Sequence, residues 1–246
     1  MKSLFKLTVI DLKLYLRNYI ASFFTLVFPV LMLLLFGVIY GNKPVAVFGG
    51  YGSMDFSVPG YIAALVIGTT AFMSLPMDLS VQRQLGVLRR LRATPLGSGR
   101  ILASKLITNL VVAAAGMGLL VLTGVLAFQI VLPVNWPALL LGILLCSLSM
   151  YSLGFALASL VRTANGVRAV SFIVFYPMMF LSGGTFPSQF LPEAVNQVAK
   201  ALPMTYSVNL LHSLWFGQGW DATAILALLG FMALGVLLSV RFFKWD

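Results

Sequence analysis

The 246 residues are 60% hydrophobic and only 9% charged, with a mean hydropathy of +1.01. Soluble domains carry roughly 25% charged residues, so a water-soluble fold with a polar skin is excluded. A net charge of +10 would suit a nucleic-acid binder, but the basic residues flank apolar runs instead of forming a basic domain, and no nucleic-acid partner is expected.

In lipid every backbone donor and acceptor must be satisfied internally, which leaves helices and closed barrels as spanning structures. Barrel strands would alternate over about 10 residues. The apolar runs here are about twice that length and do not alternate, so the spans are helices. The expected fold is therefore an all-α integral membrane protein, a single transmembrane unit over 1–246.

Residues 2–18 place Lys2, Lys6, Lys13 and Arg17 on one stripe of a helix, with Leu4, Phe5, Leu7, Ile10, Leu12, Leu14 and Tyr15 over most of the rest. This pattern predicts an interfacial helix lying against lipid head groups. A signal-peptide reading is disfavoured, because the following apolar run is long and no small-residue cleavage site follows it. Spans are expected at 20–40, with Pro29 as a kink, and at 58–76. A basic cytoplasmic segment follows at 79–100, then spans at 101–130 and 138–161. Arg162 to Arg168 forms a short basic loop before a span at 169–186. Residues 187–220 are neither polar enough for a loop nor long enough for a span. They predict two short helices broken at Pro203, an outer re-entrant hairpin with His212 and Trp215 near the surface. The last span is 222–240, capped by Asp221.

Of the 16 Lys and Arg, all but Lys43 and Lys200 fall on one side of this arrangement. The positive-inside rule places that side, and both termini, in the cytoplasm. Trp136, Trp215 and Trp220 then belong to the outer interface. The single Cys146 permits no intrachain disulfide, and no metal site or catalytic residue stands out.

The segment from Gln82 to Leu96 carries the chemistry. As one helix it separates Leu85, Val87, Leu88 and Leu91 from Arg83, Arg89 and Arg90, and Pro95 ends it. Such a helix, held between two spans, suits a soluble partner whose groove takes the apolar face and whose carboxylates pair with guanidiniums. The residues Arg83, Gly86, Leu88, Arg89, Leu91, Arg92, Ala93, Thr94, Pro95 and Leu96 resemble the signature after the second span of type-2 permeases of ATP-binding-cassette (ABC) transporters, among them many bacterial drug exporters. Lys105 stands where that family often has a lysine. A second stretch, Leu181-Ser182-Gly183-Gly184-Thr185-Phe186-Pro187, followed by Leu191-Pro192 and Leu202-Pro203-Met204-Thr205-Tyr206, is similar to the family's re-entrant region. Gln84 departs from the usual glutamate.

The resemblance implies a permease of the bacterial inner membrane that pairs with a second permease, the same chain or a relative. It also implies two separate ATPase subunits, gripped through Arg83, Gln84, Gly86, Leu88, Arg89, Arg92, Thr94 and Pro95. This chain has no G-x-x-x-x-G-K-[ST] loop, so ATP and magnesium belong to the partner and the chain itself binds no cofactor. Polar and aromatic groups within spans 2 and 5 are candidates for the cargo route: Tyr61, Thr69, Thr70, Met73, Phe172, Tyr176 and Met179. Gly183, Gly184, Pro187, Pro203 and Tyr206 are candidates for an outer gate. The expected cargo is an amphipathic small molecule, drug or lipid-like compound. Rival readings are an ion-gradient-driven carrier, weakened by the lack of mid-span charges, an intramembrane serine protease, weakened by the placement of the only histidine, and a non-transporting assembly protein.

Overall fold

The computed structural model describes residues 2–92, 97–185 and 192–242, and within them all regular structure is helical. Helix α1 covers Lys2–Arg17. Asn18 turns the chain by accepting a hydrogen bond from the Ala21 amide (3.3 Å), and span 1, α2, runs Tyr19–Tyr40. Span 2 is α3, Ser53–Gln84. A short helix α4, Val87–Arg92, leads to span 3, α5, at Ser98–Phe128. Span 4 is α6, Trp136–Leu160, and span 5 is α7, Ala164–Leu181. Two short helices, α8 at Glu193–Ala199 and α9 at Pro203–Trp215, precede span 6, α10, at Ala222–Phe242. Six of these helices are long and apolar enough to cross a bilayer, so the chain is an all-α, multi-pass membrane protein.

Local chemistry sets the boundaries. Asn135 accepts from the Ala138 amide and starts α6, with Pro137 in the first turn, where its missing N–H costs nothing. Thr163 accepts from the Gly166 amide, which starts α7 at Ala164 instead of 169 and draws Arg168 into the helix. Asp221 accepts from the Thr223 and Ala224 amides, the cap its position suggested.

The largest departure from expectation is α3. It begins at Ser53, where buried Asp55 accepts the Gly52 amide (2.9 Å), and continues well past 76 to Gln84. Its 32 residues reach about 48 Å at 1.5 Å per residue, against a hydrocarbon core of about 30 Å. It is also the centre of the bundle, buried along almost its whole length.

Close backbone approach makes this possible. A Cβ on Gly154 of α6 would collide with the Ala71 carbonyl, and one on Gly60 would lie 2.6 Å from the Gly184 carbonyl. On the outer face of α6, Gly235 of α10 packs equally tightly against Ser152. Small residues at helix contacts are how membrane bundles gain packing without a hydrophobic drive between helices.

Three π-helical turns interrupt the spans, at Phe23–Val27 in α2 and at Ile62–Ile67 and Thr70–Ser74 in α3. Two of them stand just before Pro29 and Pro76, so the wide turns absorb the clash a proline makes with the carbonyl four residues earlier.

The two ends of the bundle differ chemically. At one end lie the junctions of α1 with α2, of α3 with α4, and of α6 with α7. At the other, Asn42 after span 1 and Asp55 at the start of span 2 tie to the end of span 3, with Val131 donating its amide to Asp55 at 2.8 Å.

Candidate functional site

The candidate docking segment does not continue α3 as one helix. The α3 helix ends at Gln84, Gly86 takes φ +68°, and α4 restarts at Val87. This left-handed residue is suited to glycine and shifts the phase between Arg83 and the arginines that follow. Arg83, expected on the same face as Arg89 and Arg90, is turned inward. Its guanidinium donates to the carbonyls of Ala158 (3.0 Å), Val161 (2.6 Å) and Arg162 (3.1 Å), the open C-terminal end of α6. Those carbonyls have no intrahelical donor, and a forked cation satisfies several of them at once.

Leu88 is 1% exposed and part of the core, and Val87 and Leu91 are half-buried. The apolar face of α4 therefore lies on the chain's own bundle and not toward solvent. Gln84, Leu85, Arg89 and Arg90 are exposed, with Leu85 at 65%. Thr94 and Pro95 lie outside the described residues, as does the side chain of Arg92.

Behind this segment stands an ionic knot that the sequence reading did not single out. Lys105 of α5 pairs with Asp11 of α1 at 2.6 Å and with Asp78 of α3 at 2.8 Å. Ser104 donates to the second oxygen of Asp11 (2.7 Å), and Gln82 donates to Asp78 (2.9 Å). One signal was available in the sequence: at 100° per residue Asp11 falls opposite the lysine stripe of α1, on the face that should be apolar. A buried acid there needs a cation, and Lys105 supplies it.

The candidates for the cargo route separate into two groups. Thr69 and Thr70 are buried and bonded within the chain. Thr69 meets Thr25 at 3.4 Å, and Thr70 meets the Tyr151 hydroxyl at 3.1 Å, which in turn donates to the Asn109 carbonyl. Tyr61 is 1% exposed, Met73 is half-buried and Met179 is buried. Phe172 and Tyr176 stack on one another at 5.4 Å on α7, with Phe172 exposed.

At the opposite end, Gly183 (φ +79°) and buried Gly184 turn the chain after α7 against Gly60. Pro203 is buried and opens α9 at its first position, after α8 has ended at Ala199. Thr205 and Tyr206 donate to the carbonyls of Ala199 and Lys200, both at 2.7 Å, which bolts α9 to α8. Pro187 lies outside the described residues. Trp215 was expected at the outer surface but is 1% exposed, its indole N–H donating to the Val131 carbonyl (3.0 Å). The His212 ring lies against Phe56 at 4.4 Å, tilted by 56°, with its Nε2 buried and unpartnered. The residue α9 presents to the bundle is thus protein core. Trp136 and Trp220 stay exposed.

Residues 2–216, from the start of α1 to the end of α9, match the ABC-2 type transporter family. The chain belongs to that family. Among its relatives, Nodulation protein J of Rhizobium leguminosarum bv. viciae is 28% identical over 66% of this chain and 64% of its own length. Inner membrane transport permease YhhJ of Escherichia coli is 25% identical over 57% of this chain and 38% of its own length. The Daunorubicin resistance ABC transporter permease protein DrrB1 of Streptomyces coeruleorubidus is 23% identical over 88% of this chain and 77% of its own length. The chain spans less than two thirds of the first two. Membership makes this ABC-2 chain a transporter permease. Within the permease, α10 lies beyond the matched residues yet packs along α6.

Proposed function

We propose that this permease is the membrane half of an ATP-driven exporter. It pairs with a second permease, a copy or a relative, and two ATPase subunits grip α4 from the cytoplasm. The supporting observation is the mounting of α4: Leu88 is sunk in the core while Arg89 and Arg90 face outward. A helix anchored on one face and cationic on the other transmits force and recognises carboxylates at once. The anchor has two arms, since α4 rests on the end of α3, and Arg83 couples that same end to α6. A push on α4 therefore reaches spans 2 and 4 together. ATP bound by the partner drives the cycle only if it favours one global arrangement over the other.

The cargo is an amphipathic or lipid-like small molecule, and its contact surface is the stacked Phe172–Tyr176 face of α7. The hydroxyls of Thr69 and Thr70 hold spans together instead. Aromatic rings exposed on a span suit apolar cargo or the second permease.

The test is charge reversal. With Arg89→Glu and Arg90→Glu combined, the permease should still insert and keep its thermal midpoint, yet lose co-purification with the ATPase encoded beside it and lose permease-stimulated ATP turnover. Intact assembly and turnover in that variant would remove α4 as the docking element.

A further inference from the structure

Spans 3 and 4 follow one another in the chain, joined by the short stretch 129–135, yet they scarcely touch. Each packs on α3 instead, and toward the end opposite α4 they stand apart around a crevice of about 430 Å³. Its sides are residues of α5 from Ala114 to Val125 and of α6 from Trp136 to Ile143. Buried Ile62 of α3 and Trp215 of α9 line it from within, and exposed Leu122 and Leu140 form its rim. A Cβ on Gly118 would meet nothing within 4 Å, so the space reaches the α5 backbone.

Chemistry narrows the occupant. The lining offers no charged group and no hydroxyl. Its only side-chain N–H groups are the two indoles, and that of Trp215 is spent on the Val131 carbonyl (3.0 Å). Apolar cavities of this kind stay dry, and an unfilled one leaves its walls without contact atoms.

Size narrows it further. An apolar cavity of about 150 Å³ holds one six-carbon ring, so 430 Å³ takes about 17 carbons, a single acyl chain. From Ala114 to Val125 the α5 wall is about 16 Å long at 1.5 Å per residue. That matches the depth of one leaflet in a hydrocarbon core of about 30 Å. A helix is roughly 10 Å across and would need on the order of 1,000 Å³ over that length, so a partner span does not seat there. The Trp136 ring, 44% exposed at the first turn of α6, stands where head groups begin.

We propose that this crevice binds one acyl chain of a membrane phospholipid from the leaflet opposite α4, with the head group beside Trp136. The chain supplies the contact that spans 3 and 4 do not make with each other. It also rests on α3 at Ile62, the first residue of a π turn. The site stands independently of the exporter reading.

Trp215 is the reporter, because it is 1% exposed and a chain in the crevice is the lipid nearest to it. The full chain carrying Trp136→Phe, Trp220→Phe and Trp245→Phe retains it as the sole tryptophan. This protein is placed in nanodiscs of phosphatidylcholine with bromine on the upper half of its acyl chains. Trp215 fluorescence should be quenched relative to nanodiscs of the unbrominated lipid. Gly118→Leu in that background fills the crevice from a position with open space, so it should still fold and lose most of the quenching. Ala114→Leu, one turn away, should do the same. Gly230→Leu on α10, where a Cβ also meets nothing within 4 Å, lines no part of the crevice and should keep the quenching. An unquenched Trp215 would overturn the inference and leave the crevice to protein or to vacancy. Equal quenching in the filled variants, or equal loss in Gly230→Leu, would overturn it too and assign the signal to bulk lipid or to altered packing.

Discussion

Arg83 lies one residue from the end of the longest span, yet its guanidinium reaches the backbone of another helix instead of solvent. Three carbonyls at the foot of α6 depend on it. Replacing it with leucine leaves those acceptors without their charged donor, a loss of about 2 kcal/mol on the scale of hydrogen bonds to charged groups. We expect Arg83→Leu to lower the thermal midpoint of the detergent-solubilised permease on its own. Arg83→Lys should recover only part of the loss, because a single ammonium cannot fork across three oxygens. A variant that keeps full thermal stability but loses the ATPase would instead make Arg83 a partner contact. The distinction was not legible in the sequence, where an arginine six residues from Arg89 looks like one more member of a basic cluster. The three acceptors come from a span some 75 positions away, and only the fold brings them near.

At the scale of elements, Gly86 separates two helices that would otherwise fuse. A Cβ there meets nothing within 4 Å, so the penalty for an L-residue is conformational alone, about 1–2 kcal/mol. Gly86→Ala should lower stability modestly and uncouple ATP turnover more severely, because continued helix swings Arg89 and Arg90 off their bearing. Gly86→Asn, which tolerates the left-handed region, should retain coupling, and measuring ATP turnover with and without the permease separates the two. The existence of the six spans was readable from run length and hydropathy, since no other structure satisfies the backbone of apolar runs of that length in lipid. Their limits were less so. Asp78, Gln82 and Arg83 read as part of the basic segment after span 2 because they are polar, but each finds a partner inside the protein, so α3 continues through them. Trp215 misled in the opposite direction: an indole suited to the interface is buried once the Val131 carbonyl accepts its N–H.

For the molecule as a whole, the basic residues gather at the end that carries α1, α4 and Arg162, while Lys43 and Lys200 sit exposed elsewhere. Cys146 is 0% exposed and gives no background to thiol labelling, which makes orientation directly measurable. Lys43→Cys should react with a membrane-impermeant maleimide in intact cells, and Arg162→Cys only after the cells are opened. The reverse pattern would invert the topology and move α4 away from any cytoplasmic ATPase. The wide turns of α3 also bear on how such a molecule moves. Each π turn stores one residue more than the regular helix requires. Relocating that surplus along the chain would rotate the lower part of the central rod by about 100° and advance it by ~1.5 Å, without breaking the rod or opening its sheath. The rod thus carries its own slack, as a coiled spring does, and a tug at its foot can turn it before anything around it has to melt.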